Sequence, residues 1–252
     1  MEKIITGKNI VKTFGSGGVK VGALNGIDVE ISKGEFVAVM GPSGSGKSTL
    51  LFALSGMDSI TSGSVKFCDI ELSCLRENEL ADIRRKRMGF VFQQPTMLKN
   101  LNLLDNIILP ALQDDRKKLA GITQKAQSLM RKTGIAGLEK RDTTEVSGGQ
   151  LQRAGICRAL INAPEILFAD EPTGSLNSQS TDEIMALLVD INKDGTAILL
   201  VTHDAKVAAR AGRVLFTKDG TIISDLLFHE SGGMNMEARA KNVVKQMEAI
   251  GI

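Results

Sequence analysis

The chain has 252 residues, of which 42% are hydrophobic and 24% charged, and this ordinary globular composition excludes a wholly disordered protein. Lysine and arginine number 31 against 29 aspartates and glutamates, so no strong positive field indicates a nucleic-acid partner. No apolar run is long enough to span a bilayer, no signal-peptide pattern opens the chain, and the three cysteines form no Cys-x-x-Cys pair. We therefore expect a cytoplasmic protein with reduced thiols that is not itself embedded in a membrane.

The predicted elements alternate between strand and helix along most of the chain. Short apolar runs at 35–40, 89–92, 166–169 and 197–201 are typical of strands buried on both faces of a parallel sheet. Helical periodicity follows the first run and separates the last two, and a hairpin pattern covers 214–223. Strand, helix and strand in this order predict an α/β fold with a parallel central sheet.

Two segments depart from this alternation. From about 95 to 161 the pattern is helical, which predicts a helical lobe inserted into the α/β core of a single domain spanning 1–252. Apolar residues at helical spacing in 234–252 predict an amphipathic C-terminal helix that is capped by Asn235 and ends at Gly251. This helix packs either on its own domain or against a partner.

The segment 41–48 carries the most specific motif. It reads Gly-Pro-Ser-Gly-Ser-Gly-Lys-Ser and matches G-x-x-x-x-G-K-[ST] between a predicted strand and a predicted helix. Its glycines let backbone N–H groups surround a β-phosphate, Lys47 supplies a cation between the β- and γ-phosphates, and the Ser48 hydroxyl suits Mg²⁺. The segment predicts a site for nucleotide phosphates and Mg²⁺, with these candidate binding residues: Gly41, Ser43, Gly44, Ser45, Gly46, Lys47, Ser48 and Thr49.

Acidic and imidazole side chains follow two other predicted strands. Asp170 and Glu171 come at the end of the run 166–169, and His203 follows the run 197–201. Because α/β proteins bind ligands at the carboxyl ends of parallel strands, we expect these groups beside the phosphates. Asp170 would hold the Mg²⁺ shell through water, Glu171 would orient or deprotonate the attacking water, and His203 would contact the γ-phosphate.

A second anion site is predicted at the start of another helix. Ser147, Gly148, Gly149 and Gln150 precede a helical pattern in which Ser147 is a natural N-cap and the two glycines expose backbone N–H groups. Two anion sites and one nucleotide loop per chain suggest that two chains share each nucleotide. A capped helix without a ligand is the alternative that this motif alone leaves open.

Together these motifs resemble those of the ATP-binding subunits of ABC transporters. Segment 41–48 resembles Walker A, 166–170 resembles Walker B, and 147–150 resembles the ABC signature, in the family's order and spacing over about residues 3–223. The resemblance implies an ATPase that binds ATP and Mg²⁺ and forms a homodimer on ATP binding. It also implies a P-loop NTPase core with a parallel central sheet, a small antiparallel β subdomain and an inserted helical subdomain.

The resemblance gives roles to further residues. Gln93 resembles the Q-loop glutamine, which would contact Mg²⁺ or the attacking water and sense the permease, and His203 resembles the switch histidine. Phe14 stands where the family places an adenine-stacking aromatic residue, usually tyrosine, and a phenyl ring can stack without a hydroxyl. Asn177 is a departure, because the D-loop of the family usually has aspartate there, and we expect it to affect coupling between the two ATP sites.

Finer similarity points to a subgroup and a function. The segments 89–94, 168–174 and 212–220 are similar to the ATPases of macrolide exporters and lipoprotein-release systems, and closer still to those of bacitracin-type antimicrobial-peptide exporters. This implies a subunit peripheral on the inner face of the cell membrane, held by a separate ABC permease, that drives export or release of antimicrobial peptides, drugs or lipid-linked substrates.

Two alternative functions stay open at this point. One is an ATP-dependent regulator of cell-wall or division machinery acting through a membrane partner. The other is a soluble ABC ATPase that acts on DNA or ribosomes. The basic run 84–87 is the candidate nucleic-acid patch, but its pattern is typical of a solvated helix end, and we expect no nucleic-acid partner.

Overall fold

The structure, a computed structural model, describes residues 2–15, 20–113, 118–228 and 235–252. Position 234, where the predicted C-terminal segment begins, lies outside the described residues. The strands within these ranges are β1 (Lys3–Phe14), β2 (Val21–Ser32), β3 (Phe36–Met40), β4 (Ser62–Phe67), β5 (Ile70–Glu71), β6 (Met88–Phe92), β7 (Ile166–Asp170), β8 (Ala197–Val201), β9 (Arg213–Lys218) and β10 (Thr221–Leu227). The α-helices are α1 (Lys47–Leu54), α2 (Glu77–Arg87), α3 (Leu103–Leu112), α4 (Leu119–Lys132), α5 (Gly148–Leu160), α6 (Ser178–Lys193), α7 (Ala205–Ala208) and α8 (Met236–Ala249). None of the described helices combines the length and apolar character needed to cross a membrane.

The central sheet has the strand order β10-β9-β3-β8-β7-β6. Neighbouring strands from β9 to β6 pair in parallel, and β10 pairs antiparallel with β9. Every residue of β3 and β8 is buried, because hydrophobic clusters lie on both faces of the sheet. The predicted α/β fold with a parallel central sheet is confirmed.

The register of this sheet brings the predicted site residues to one edge. Phe92 of β6 pairs with Asp170 of β7, which pairs with Val201 of β8. These strands run parallel, so their carboxyl ends meet at the same edge. The segments that leave the sheet there are 41–48 after β3, Gln93 after β6, Glu171 after β7 and His203 after β8.

A second sheet is antiparallel in the order β2-β1-β4-β5. Its apolar face, which includes Ile5 and Val29, packs in one cluster with Leu50 and Leu54 of α1. Helix α1 therefore lies between the two sheets. The segment 41–48 also touches both, since Gly41 packs near Thr217 of β9 and Gly46 packs near Ala23 of β2. The antiparallel β part that the resemblance implies is confirmed.

Between β6 and β7 the chain forms helices α3, α4 and α5 around a hydrophobic core of their own. Leu103, Ile107 and Met130 are fully buried there together with Cys157. Burial raises the pKa of Cys157 to about 11, and its thiol contacts the Thr133 hydroxyl at 3.1 Å. This thiol therefore stays protonated and serves as a packing group.

Helix α8 packs on the domain to which it belongs. Val243 is fully buried against the cluster beneath the central sheet, and Met247 and Ile250 pack around it. The Asn235 side chain accepts a hydrogen bond from the Ala238 N–H at 2.8 Å and so caps the first turn. The amphipathic pattern of this segment is thus used for intramolecular packing.

Candidate nucleotide site

The loop 41–48 curls between β3 and α1, and two of its glycines are required by close packing. A Cβ on Gly41 would lie 2.2 Å from the carbonyl oxygen of Thr217. Gly46 has a φ of 94°, and a Cβ there would lie 2.5 Å from the carbonyl oxygen of Ala23. The buried Ser45 hydroxyl contacts the Thr217 hydroxyl at 2.9 Å, so this side chain supports the loop from β9. Thr217 is a further site residue, and it lies in the segment 212–220 that the resemblance already singled out.

Lys47, the first residue of α1, lies inside the curl of the loop. Its buried ammonium donates to the carbonyl oxygens of Gly41 at 2.9 Å and Pro42 at 2.8 Å. Burial lowers the pKa of Lys47, and the carboxylates of Glu171 and Asp170 partly offset this effect. A desolvated cation here attracts phosphate strongly, because the low local dielectric strengthens the Coulomb interaction. The other predicted residues of the loop lie around it, with Ser43 and Gly44 exposed and Ser48 and Thr49 half-buried.

Ser48 and Asp170 meet where the sequence predicts Mg²⁺. The Ser48 hydroxyl donates to Asp170 Oδ1 at 2.9 Å. Burial raises the pKa of Asp170, while the hydrogen bond from Ser48 and the charge of Lys47 act in the opposite direction. A hydroxyl and a poorly solvated carboxylate are hard oxygen donors of the kind that Mg²⁺ prefers, and a cation would offset the cost of burying this charge. The two residues therefore fit the metal.

We expect Asp170→Asn to stabilise the nucleotide-free protein while it abolishes hydrolysis. Asparagine can accept the Ser48 hydrogen bond but carries no buried charge. Because the pKa of Asp170 is raised on folding, its carboxylate destabilises the folded state above the ordinary pKa of aspartate, and this cost is lost as the pH falls and the group is protonated.

The measurement is the melting temperature of both proteins from pH 7 to about pH 4. One kcal/mol corresponds to about 2–4 °C for a chain of this size. The variant should melt higher at pH 7, and the difference should shrink as the pH falls. A difference that is constant over this range would contradict the electrostatic origin.

Glu171 and His203 face each other at the ends of β7 and β8. His203 Nδ1 lies 3.0 Å from Glu171 Oε2. Glu171 has a φ of 46°, which is strained for a residue with a side chain, and its N–H and C=O are fixed by bonds of 3.0 Å to Val201 and Gly174. The surrounding backbone thus holds the carboxylate against the imidazole, where the sequence predicts the base and the γ-phosphate contact.

Gln93 approaches Glu171 at Gly174. A Cβ on Gly174 would lie 2.8 Å from Gln93 Nε2 and 3.2 Å from Glu171 Oε2. Ser175 Oγ donates to the Gln93 carbonyl at 3.1 Å, and Gln152 of α5 donates to the preceding carbonyl at 3.0 Å. Gly174 is a further site residue, and its small size allows Gln93 and Glu171 to approach. Its position in the segment 168–174, which the resemblance already singled out, could have indicated Gly174 from the sequence.

The residues 147–150 form the start of α5. Ser147 caps α5, since its hydroxyl accepts from the Gln150 N–H at 3.3 Å and its own N–H donates to Gln150 Oε1 at 2.9 Å. Gly149 packs near Ser180 at the start of α6. In the part of the chain that the structure describes, no hydrogen bond or ion pair joins 147–150 to 41–49. The described contacts of 147–150 are those of a capped helix start that packs near α6.

Phe14 ends β1 with 47% of its surface exposed. It pairs with Val21 of β2, and β2 continues to Ala23, whose carbonyl lies against Gly46. The ring therefore belongs to the strand pair that supports the phosphate loop. Stacking of adenine on this ring stays a prediction.

Asn177, the departure from the family pattern, caps α6. Its Oδ1 accepts from the Ser180 N–H at 2.8 Å, a bond that aspartate can also make.

We expect Asn177→Asp to keep or slightly raise the melting temperature, because a negative charge is favourable at a helix N-terminus. Asn177→Ala should lose about 1 kcal/mol of stability. Thermal melts followed by circular dichroism check this, and equal losses in both variants would rule out the cap.

The basic run 84–87 is engaged within the protein. Its side chains contact acidic groups and a backbone carbonyl: Arg84 with Glu77 and Gly56, Arg85 and Lys86 with Asp82, and Arg87 with Glu165. Charges used in this way are typical of a solvated helix end rather than of a nucleic-acid surface.

Known proteins share the sequence and the fold described above. A family model described as ABC transporter matches residues 24–174. The bacitracin export ATP-binding protein BceA of Halalkalibacterium halodurans is 39% identical over 98% of this chain and 97% of its own length. The macrolide export ATP-binding/permease protein MacB of Mannheimia succiniciproducens is 40% identical over 95% of this chain, which spans 37% of that relative.

A solved structure shows the same architecture. The ATP-binding cassette MJ0796, a dimer in a post-hydrolysis state bound to ADP and Pi, superposes with a TM-score of 0.82 at 35% identity, covering 89% of this chain and 99% of that chain. The matched residues include the phosphate loop, Asp170 and Glu171. The chain therefore belongs to the ABC transporter family and has the fold of its ATP-binding cassettes.

Proposed function

We propose that this chain is the motor subunit of an exporter that moves antimicrobial peptides, drugs or lipid-linked substrates through a separate permease. The observation that carries the proposal is the 39% identity to a bacitracin export ATP-binding protein over 97% of that relative's length. The macrolide relatives support export as the direction. In this proposal the subunit is cytoplasmic and lies on the inner face of the cell membrane, where the permease holds it.

Two copies of the chain bind ATP between them. Phe14 and the residues 41–49 of one copy bind the nucleotide, and residues 147–150 of the other copy close over the γ-phosphate. The dimeric state of the similar cassette MJ0796 supports this arrangement. ATP favours the dimer because these contacts form only in the closed state.

Different residues of one copy have different roles in hydrolysis. Glu171 accepts a proton from the attacking water, and its contact with His203 orients the imidazole toward the γ-phosphate. Lys47 and the loop N–H groups stabilise charge that develops on the phosphate oxygens. Mg²⁺, when held by Ser48, Asp170 and Gln93, would neutralise phosphate charge.

An open groove between the core and the helices that follow β6 is the surface that we assign to the permease. It has a volume of about 410 Å³, and its lining combines apolar groups with arginines: Met57, Phe90, Phe92, Pro110, Arg84 and Arg158. Phe92 directly precedes Gln93, so a segment bound in the groove would act on the Q-loop. We assign 95–161 to an inserted subdomain that carries residues 147–150. We assign the segment 234–252, which contains α8, to a C-terminal amphipathic helix that stabilises its own domain.

A pull-down tests the export function. Tagged Glu171→Gln protein with ATP is the bait on detergent-solubilised host membranes, and mass spectrometry identifies what is retained. We expect a permease with a large extracytoplasmic domain. Met57→Asp in the same background changes an exposed groove residue and should retain less of it. Recovery of cell-wall or division proteins, or of no membrane protein, would contradict the export function.

A further inference from the structure

Lys12 is a buried cation close to the nucleotide site. Phosphate binding by the loop 41–48 does not explain its function. Only 7% of its surface is exposed. Its ammonium donates to Asp58 Oδ1 at 2.7 Å and to the Ser59 carbonyl at 2.5 Å. Both acceptors lie far from Lys12 in the sequence, at separations of 46 and 47 residues. They fix the position of the charge, because a buried ammonium keeps its hydrogen-bond partners.

The fixed ammonium lies over the ring of Phe14. Lys12 Nζ is 4.9 Å from the ring centroid, within the range of a cation–π contact. Lys12 and Phe14 lie two residues apart on β1, and this contact joins their side chains although the pairing of β1 with β2 shifts register after Lys12. A phenyl ring carries no hydroxyl that a hydrogen bond could hold, and an ion–ring contact can orient it instead.

The contact between Lys12 and Phe14 bears on nucleotide binding because the Phe14 ring lies on the strand pair next to the phosphate loop. Phe14 pairs with Val21, and two residues later on β2 the Ala23 carbonyl packs against Gly46 of the phosphate loop. Almost half of the ring surface is exposed, so a flat base can reach it. A cation over an aromatic ring also draws electron density from it, which favours stacking with an electron-rich purine.

We propose that Lys12 is a positioning residue that holds the Phe14 ring in the orientation that stacks on the adenine of ATP. The proposal rests on the adenine-stacking role proposed for Phe14. Lys12 then contributes to the affinity for the base and contributes nothing to the affinity for the phosphates, which the loop 41–48 binds. The side chain of Asp58 acts one step further away, because it fixes the ammonium.

Calorimetry with two ligands tests the proposal. ATP carries the base, and inorganic tripolyphosphate carries only the phosphates. Lys12→Met should weaken ATP binding about five- to tenfold, which lies within the range of one cation–π contact, and leave tripolyphosphate binding unchanged. Lys12→Arg should restore ATP binding. Lys66→Met, at an exposed lysine on the neighbouring strand β4, is the matched control and should change neither affinity.

The ring itself completes the test. Phe14→Leu should weaken ATP binding in the same selective way, and adding Lys12→Met to Phe14→Leu should have no further effect. Equal losses for ATP and tripolyphosphate would show a general structural role for Lys12 and overturn the proposal. Unchanged ATP affinity in Lys12→Met alone would overturn only the role of Lys12, whereas unchanged affinity in Phe14→Leu would overturn the stacking role on which it rests.

Discussion

Glu171→Gln is expected to lower the rate of ATP hydrolysis by about 10²–10⁴-fold, the contribution of a general base, and to leave ATP affinity within a few-fold of the parent value. Glutamine has the shape of glutamate but cannot accept a proton from water. The Glu171 carboxylate touches His203, and the hydrogen bonds of the Lys47 ammonium go to the carbonyls of the loop, so the substitution removes the base and keeps those bonds. Phosphate release at saturating ATP and calorimetric ATP binding are the two measurements.

A matched control separates the effect of losing a surface carboxylate from the effect of losing the catalytic base. Glu183→Gln removes a carboxylate that is paired with Arg153 on the surface of α6, and it should hydrolyse ATP at the parent rate. Glu171→Gln turnover within tenfold of the parent would remove Glu171 from the role of base. Loss of ATP binding in the same variant would instead show that its carboxylate organises the phosphate site.

Lys47→Ala is expected to lower ATP affinity by at least about 100-fold, since charge-assisted hydrogen bonds to phosphate from a desolvated ammonium are among the strong polar interactions. The variant should remain folded. Burial lowers the pKa of Lys47, which means that the charged side chain is costly in the nucleotide-free protein, and alanine removes that cost. The lost affinity is therefore separable from lost stability by melting curves on the same samples.

The exposed residue Lys66 supplies the control for this prediction as well. Lys66→Ala removes one positive charge from the surface and should bind ATP like the parent protein. An ATP affinity in Lys47→Ala within a few-fold of the parent would contradict the assignment of the loop 41–48. A variant that fails to melt cooperatively would contradict the argument from the lowered pKa.

The close-packed loop 41–48 could be predicted from the sequence for a physical reason. Gly41 and Gly46 occupy positions where a Cβ would collide with neighbouring backbone, so the motif records a requirement of the structure. Asp170, Glu171 and His203 could be placed because parallel strands bring their carboxyl ends to one edge. Both inferences depend only on local pattern and on the geometry of a parallel sheet.

Other features could not be predicted from local pattern. β1 and β2 pair over long stretches with several register shifts, and these irregularities break the simple alternation by which strands are recognised. The contact of Lys12 with Asp58 and Phe14, and that of Ser45 with Thr217, join residues that only the tertiary fold brings together. The strained backbone of Glu171 likewise depends on bonds to neighbouring segments.

Sedimentation velocity of the Glu171→Gln protein shows whether two copies of this chain close around ATP. We expect a monomer without nucleotide and a dimer with ATP. Ser147→Arg in the same background places a bulky side chain at the start of α5, and it should abolish the dimer and leave ATP binding to the phosphate loop intact. A Glu171→Gln protein that binds ATP and stays monomeric, or that dimerises equally with Ser147→Arg, would contradict a shared ATP site.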